Sequence, residues 1–208
     1  MAALSELFTL IRAEVPECSD PAMEFAVRSA ARLFCRNTHC LQQTFALTTV
    51  AGTAQYTLDP GVELSILAVR GVHIDATPLL PERYELLQSI PDMEGYPHIY
   101  ALSGETLYLE PTPDDVYDVT ARVALLPSRS AATLSDSLVA RWDEPIAAKA
   151  KSMLMTMPGK AWSNLERARL YQQQFVNGMI QAKGEVMLGA DSTARVVANS
   201  GGGQRLWP

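Results

Sequence analysis

Residues 97–113 read PHIYALSGETLYLEPTP, and this stretch decides the fold. Polar and apolar side chains alternate in its second half, so that Leu107 and Leu109 lie on one face of a predicted strand. The pair Ser103-Gly104 separates the two apolar runs and is typical of a two-residue hairpin turn. The stretch therefore predicts an antiparallel β-hairpin.

The strand pattern continues on both sides of this hairpin. Segments rich in Val, Ile, Thr, Tyr and Leu, with short turn signals between them, lie at 44–50, 54–58, 62–74, 97–102, 105–110 and 116–126. One or two helical turns are predicted over 81–87. Six short strands with tight turns favour an antiparallel β-sandwich or barrel over a parallel sheet with crossover helices.

Both ends of the chain show the apolar period of helices instead. The periodicity predicts helices over 3–15, 21–41 and within 136–188. The Asp-Pro pair at 20–21 and the Asp-Glu-Pro run at 143–145 are helix-start signals, because Asp accepts from free N–H groups and Pro has none to satisfy. Ser163 or Asn164 is positioned to cap the last long helix.

The order of elements predicts an α+β fold in which a β-region is inserted into a helical bundle. Each amphipathic helix must bury its apolar stripe, and the terminal helices are each other's nearest candidates. The predicted units are a helical bundle from 1–43 and 130–189, an antiparallel β-domain at 44–129, and a flexible C-terminal docking tail at 190–208.

Composition and charge exclude several classes of protein. Hydrophobic residues make up 48% of the chain, which is globular composition and excludes wholesale disorder. The longest apolar runs fall far short of the roughly 20 residues that a membrane helix needs. The net charge of −6 is uneven, since the first 140 residues carry −10 and the remainder carries +4. Either both regions have ordinary solvated faces, or the acidic and basic parts meet in an assembly.

Signals of enzyme chemistry are weak throughout the sequence. No phosphate-binding loop and no nucleophile elbow are present, so we expect no catalytic residue, no cofactor and no metal. Cys35, His39 and Cys40 form the one cluster that could hold zinc, and Cys35 and His39 share a helix face. A thiol- or zinc-dependent enzyme therefore stays open as an alternative.

A second alternative is a DNA-binding helical module. Its basic residues would be Lys149, Lys151, Lys160, Arg167 and Arg169. The excess of positive charge in this part of the chain is mild, and the acidic remainder would repel a phosphate backbone.

The C-terminal end has a composition that is unusual for a lone globular protein. Three glycines at 201–203 precede two large apolar residues, Leu206 and Trp207, at the extreme end of the chain. A lone globular protein gains nothing from a tethered Trp, whereas a tether that docks on a partner does. We expect Arg195, Arg205, Leu206 and Trp207 to dock on a partner.

Residues of the C-terminal third also carry a family resemblance. Trp142 precedes a run rich in Ala and Met at 145–157, the segment MPGKAWSN follows at 157–164, and a helix with Tyr171 and Phe175 ends the pattern. Together with the N-terminal helices and the strands between, this resembles the head-to-tail adaptor proteins of tailed phages. In short-tailed phages these adaptors are called tail tubular protein A.

The resemblance implies a structural virion protein and no enzyme. Such adaptors assemble in the host cytoplasm and form a ring, usually of twelve copies, beneath the portal in the virion neck. The resemblance implies that the helical part faces the portal, that the β-part faces the tail or nozzle protein, and that C-terminal tails extend along neighbours or the portal. DNA passes through the channel without sequence-specific binding, and an acidic channel wall would let it slide. No membrane partner is implied.

Overall fold

A computed structural model of the protein describes residues 1–89 and 93–189. The helices within these ranges are α1 (Phe8–Arg12), α2 (Asp20–Thr38), α3 (Tyr84–Leu87), α4 (Asp136–Met155) and α5 (Leu165–Met187), and a 3-10 turn over Leu4–Leu7 precedes α1. Long helices therefore occupy both ends of the described chain, as the sequence predicts.

Most strands lie in the middle of the chain, and one short strand is formed by its first residues. They are β1 (Ala2–Ala3), β2 (Gln42–Thr48), β3 (Gln55–Thr57), β4 (Leu64–Ile74), β5 (Thr77–Pro78), β6 (Leu80–Pro81), β7 (Glu94–Gly95), β8 (Ile99–Ser103), β9 (Thr106–Glu110), β10 (Thr112–Pro113), β11 (Asp118–Pro127) and β12 (Thr133–Leu134). All six predicted strands are confirmed to within a few residues, and the additional ones are two residues long.

The strands form two four-stranded sheets and two small pairs. The sheet orders are β2-β11-β4-β5 and β3-β9-β8-β6, and the pairs are β1-β12 and β7-β10. Neither four-stranded sheet closes on itself, so the barrel alternative is wrong. The pairings β6-β8 and β7-β10 are parallel and only two residues long.

The hairpin that decides the fold is confirmed, with a shift of one residue at its turn. Ser103 pairs with Thr106, so the two residues of the turn are Gly104 and Glu105 and not Ser103-Gly104. Gly104 takes a φ of +63°, a conformation that glycine adopts without the steric cost of a Cβ. Leu107 is fully buried, as the alternation predicts.

The long antiparallel pair of β4 and β11 is the centre of the first sheet. Alternate residues of β11, namely Val119, Ala121 and Val123, are buried, while Thr120 and Arg122 between them are exposed. This period of two is the one that a half-buried strand shows. The helix α2 packs against β11 and covers this part of the sheet.

The N-terminal helices are shorter than their apolar stripes predict. The first predicted helix, 3–15, divides into the 3-10 turn and α1, which ends at Arg12. The second ends at Thr38 and not at 41, because His39 takes a left-handed φ of 55° and its N–H donates to the Cys35 carbonyl at 2.8 Å. That arrangement terminates a helix.

A break at Trp142 divides α4 into two helical segments. Trp142 has φ −134° and ψ 21°, outside the helical region, so the residues at 143–145 begin a new segment, as their start signal predicts. Pro145 lies in the first turn of that segment, where a missing N–H leaves no hydrogen bond unmade. The helix as a whole begins earlier, at Asp136. The cap prediction for the last long helix is confirmed, since Asn164 accepts from the Arg167 N–H at 3.0 Å. The prediction that Asp20 caps α2 is wrong, because Ser19 holds the cap position and Asp20 is the first helical residue.

Three helices meet at a cluster of aromatic side chains. The Phe34 ring of α2 lies 5.4 Å from the Trp142 ring of α4 and 6.0 Å from the Phe175 ring of α5, centroid to centroid. Side chains from these helices and from both four-stranded sheets belong to one cluster of buried residues. The division into separate domains at 44–129 and at 1–43 with 130–189 stays a prediction.

The close approach of α4 and α5 depends on Gly178. A Cβ added at Gly178 would lie 2.5 Å from the Cβ and 2.9 Å from the Cγ of Pro145, closer than atoms can pack. Gly184, one and a half turns further along α5, has no heavy atom within 4 Å of the same position. Gly184 is therefore a control position for a substitution at Gly178, since both glycines are helical and only Gly178 is in tight contact.

We expect Gly178→Ala to lower the free energy of unfolding by about 1–3 kcal/mol, because the new methyl group forces α4 and α5 apart. Gly184→Ala should raise it by roughly 0.5–1 kcal/mol, since alanine favours the helix and meets open space. Urea unfolding followed by circular dichroism measures both. Equal effects of the two substitutions would contradict the tight contact.

Candidate protein-protein docking surfaces

Two clefts flank the break in α4. The first, of about 460 Å³, lies between the start of β2 and the C-terminal turns of α5, and Leu138, Trp142 and Val186 contribute its apolar wall. An ion pair between Arg141 and Glu185, 2.7 Å between Nη2 and Oε2, crosses its rim. An apolar wall with a charged rim suits an apolar side chain carried by a polar peptide. We call this the Trp142 cleft.

The second cleft, of about 720 Å³, lies on the other side of the same break. Pro145 and Gly178 contribute to its floor, and Lys151, Gln174 and Gln181 make its lining more polar.

No helix within the two described ranges is both long and apolar enough to cross a bilayer.

The helix α5 is apolar on two faces. Its buried face repeats every seven residues at Ala168, Phe175 and Ala182. On another face Ile180 and Met187 are 64% and 84% exposed, and at 3.6 residues per turn they lie within about 20° of one another. These two side chains make the outward face of α5 a candidate contact surface. The apolar period of the sequence predicts only the stripe that packs inward, and the outer pair, although apolar, was not predicted as a contact surface.

The loop before β11 is acidic and well fixed. Asp114 accepts a hydrogen bond of 2.6 Å from the Tyr117 hydroxyl, which stabilises the protonated phenol and raises the pKa of Tyr117 to about 12. Asp115 accepts from the backbone N–H of Val116 at 2.8 Å. Asp118 begins the strand. We call residues 114–118 the acidic loop.

The Cys35, His39 and Cys40 cluster does not become a metal site. No group of three or more His, Cys, Asp or Glu side chains that could hold an ion occurs in the described ranges. The Cys35 thiol is buried and hydrogen-bonds to Cys40. This bond, with burial, raises the pKa of Cys35, and it lowers the pKa of Cys40 by stabilising its thiolate. The zinc-enzyme alternative thus has no support in the described part of the chain.

The basic residues of the DNA-binding alternative are mostly engaged inside the protein. Their contacts are Lys149 Nζ to Gln172 Oε1 at 2.6 Å, Lys151 Nζ over the Tyr171 ring at 4.8 Å, Lys160 Nζ over the Trp162 ring at 5.8 Å, and Arg167 Nη1 to Glu14 Oε2 at 2.6 Å. Desolvation also lowers the pKa of Lys149. Among the residues that the structure describes, these contacts occupy most of the proposed basic set, and this alternative also lacks support.

The predicted docking residues lie outside the described residues. Arg195, Arg205, Leu206 and Trp207 all follow Gly189, the last residue that the structure describes. Their proposed role therefore stays a prediction.

A sequence model of the SU10 adaptor protein family matches residues 2–207, so the chain belongs to the SU10 adaptor protein family. No curated protein matches the chain. Family membership makes it a structural head-to-tail adaptor of a bacteriophage, with a place in the virion neck and with portal and tail proteins as partners. A structural adaptor family implies that the chain is not an enzyme.

Cys40 lines the Trp142 cleft, and its reactivity reports on the thiol pair. Alkylation requires the thiolate, so iodoacetamide should label Cys40 with a pH midpoint below the ordinary thiol value of about 8.5. Cys35→Ala removes the donor and should raise that midpoint, whereas Cys35→Ser keeps a donor and should preserve it. Mass spectrometry of the labelled peptides gives the rates. An unchanged midpoint in Cys35→Ala would show that the thiols do not interact.

Proposed function

We propose that the protein forms a ring beneath the portal, extends the DNA channel there and provides the platform on which the tail attaches. The observation that carries this proposal is the family match over residues 2–207. The doubly apolar helix α5 supports it, because a helix that packs inward on one face still needs a partner for the other. The ring is expected to hold twelve copies, as the resemblance to tail tubular protein A implies.

The helical part supplies the portal-facing surface in this proposal. The exposed stripe of α5 and the second cleft belong to that part, and the Trp142 cleft lies where the helices meet β2 and β11. The region at 44–129 would then face the tail or nozzle protein. DNA would pass through the centre without sequence-specific contacts, which agrees with the net charge of −10 on the first 140 residues.

The C-terminal residues would strengthen attachment. Fixing each residue of the 190–208 segment costs roughly 1–2 kcal/mol, so large anchors must offset the cost. Leu206 and Trp207 can bury apolar area worth about 25 cal/mol per Å², and Arg195 and Arg205 can donate to acidic groups of the partner. Neighbouring attachments around a ring raise the effective concentration of each contact.

Native mass measurement of the protein, alone and mixed with the portal of the same phage, tests the proposal. A stoichiometric ring on the portal is expected. Ile180→Asp combined with Met187→Asp should abolish this ring, because each substitution places a charge on the apolar contact face. Val50→Asp combined with Val62→Asp is the matched control, since these valines are 60% and 88% exposed and lie outside α5. Full attachment of the doubly substituted protein would exclude α5 as a contact surface.

Deletion of 190–208 should leave the thermal unfolding of the rest of the protein nearly unchanged and weaken attachment to the portal. Trp207→Ala should reproduce part of that loss, because it removes the largest proposed anchor. Particle assembly followed by measurement of retained DNA provides the readout. Truncated chains that assemble into stable, DNA-retaining particles would assign the segment no role in docking.

A further inference from the structure

The outward face of α2 combines an aromatic side chain with a column of arginines. Phe25, Arg28, Arg32 and Arg36 follow one another at steps of three and four residues, which places them on one side of the helix. Phe25 is 59% exposed, because the opposite side of α2 is the one that packs against β11, α4 and α5. Aromatic residues and arginine are the types that dominate binding energy at protein interfaces.

Backbone carbonyls hold two of these arginines in place. Arg28 Nε donates to the Ala131 carbonyl at 2.7 Å, and Arg32 donates to the Pro127 carbonyl. Arg129 lies two residues beyond Pro127 and therefore belongs to the same patch. The pKa of Arg32 is lowered, chiefly by desolvation and next by repulsion from the like charges of Arg129 and Arg36, which lie nearby. We call this set, with Phe25, the arginine face.

Within the two described ranges, none of these four arginines forms an ion pair with a carboxylate. Glu63, the carboxylate beside Arg28, instead accepts hydrogen bonds from the backbone N–H groups of Ala132 and Thr133, at 2.7 and 3.0 Å. A fixed cluster of like charges beside an exposed aromatic ring is complementary to an acidic surface that carries an apolar side chain.

The acidic loop has that composition. Asp114, Asp115 and Asp118 surround Val116, which is 64% exposed. Asp75, whose N–H donates to the Asp118 carbonyl at 3.2 Å, adds a fourth carboxylate. The four carboxylates match the four guanidinium groups in number.

The two surfaces cannot meet within one copy. The acidic loop precedes Asp118 at the start of β11, whereas Arg129 and the carbonyl that Arg32 contacts lie at its end. Nine residue steps of β-strand separate the two ends by about 30 Å. A contact between different patches on two copies is heterologous, and it generates a ring when the rotation between copies closes.

We propose that the acidic loop of one copy docks on the arginine face of the next, with Val116 against Phe25. This inference rests on the proposed ring and names the two surfaces by which its neighbouring copies recognise each other. The negative charge of the acidic loop repels nucleic acid, so this loop is suited to a protein partner. In the heterologous contact each copy uses its acidic loop towards one neighbour and its arginine face towards the other.

Charge exchange tests the contact. Arg36→Asp with Arg129→Asp, and separately Asp114→Arg with Asp115→Arg, should each lower the association of copies on the portal at least about tenfold, since like charges then face each other. The chain with all four substitutions should recover association to within about threefold of the natural sequence, because the charges are complementary again. Arg70→Asp with Arg83→Asp is the control of equal charge change, since both side chains are exposed and belong to neither surface, and it should leave association unchanged.

A second variant leaves intact the hydrogen bonds that Asp114 and Asp115 accept within the acidic loop. Phe25→Ala removes the apolar anchor without altering any charge and should also weaken association, with thermal unfolding confirming that the helix remains folded. Cysteines placed at 25 and 116 should form crosslinks between copies and none within a copy.

The outcomes separate this contact from the ring itself. A ring that survives both double substitutions and Phe25→Ala would overturn the contact and leave the ring standing. A natural chain that forms no ring on the portal would overturn both. Unchanged association together with weaker binding of a double-stranded DNA fragment to the arginine variant would overturn the contact and assign the face to nucleic acid.

Discussion

The contact of Phe34 with Trp142 and Phe175 is the interaction on which the rest of the structure depends. These three rings come from α2, which is distant in sequence, and from the consecutive helices α4 and α5, and each ring is nearly or fully buried. The Trp142 ring reaches the cluster at the point where α4 leaves helical geometry. The second segment of α4 then passes so close to α5 that only a glycine fits at 178. Aromatic packing therefore sets the angle and spacing of the helices.

This packing determines which surfaces remain for partners. With Ala168, Phe175 and Ala182 turned inward, α5 must present Ile180 and Met187 outward. The break that positions Trp142 also opens a cleft on each side of α4. The same constraint turns one side of α2 inward and leaves its arginines outside, where the carbonyl groups of Pro127, at the end of β11, and of Ala131, beyond it, hold two of them. Structural and binding features thus have a common cause.

Local sequence determined the kinds of elements and most of their positions. Alternation identified the strands around Gly104, and caps identified Asn164 and the restart of α4 after Trp142, because each signal depends on neighbours within four residues. The errors were equally local in origin. A left-handed residue at His39 ended α2 early, and the turn at Gly104 moved by one position, since apolar period does not encode backbone φ. The family resemblance also lay in the sequence, and the match over 2–207 shows an adaptor.

Only the tertiary structure decided which residues share a surface. The sequence grouped Cys35, His39 and Cys40 by spacing, and folding paired the two thiols without assembling a metal site in the described residues. It also engaged most of the C-terminal basic side chains in internal contacts. Conversely, Arg129 joins the arginines of α2 although about a hundred residues separate them, because β11 ends beside that helix. Amino-acid sequence by itself fixes short-range periodicity, whereas the juxtaposition of charges across elements depends on how buried faces pack.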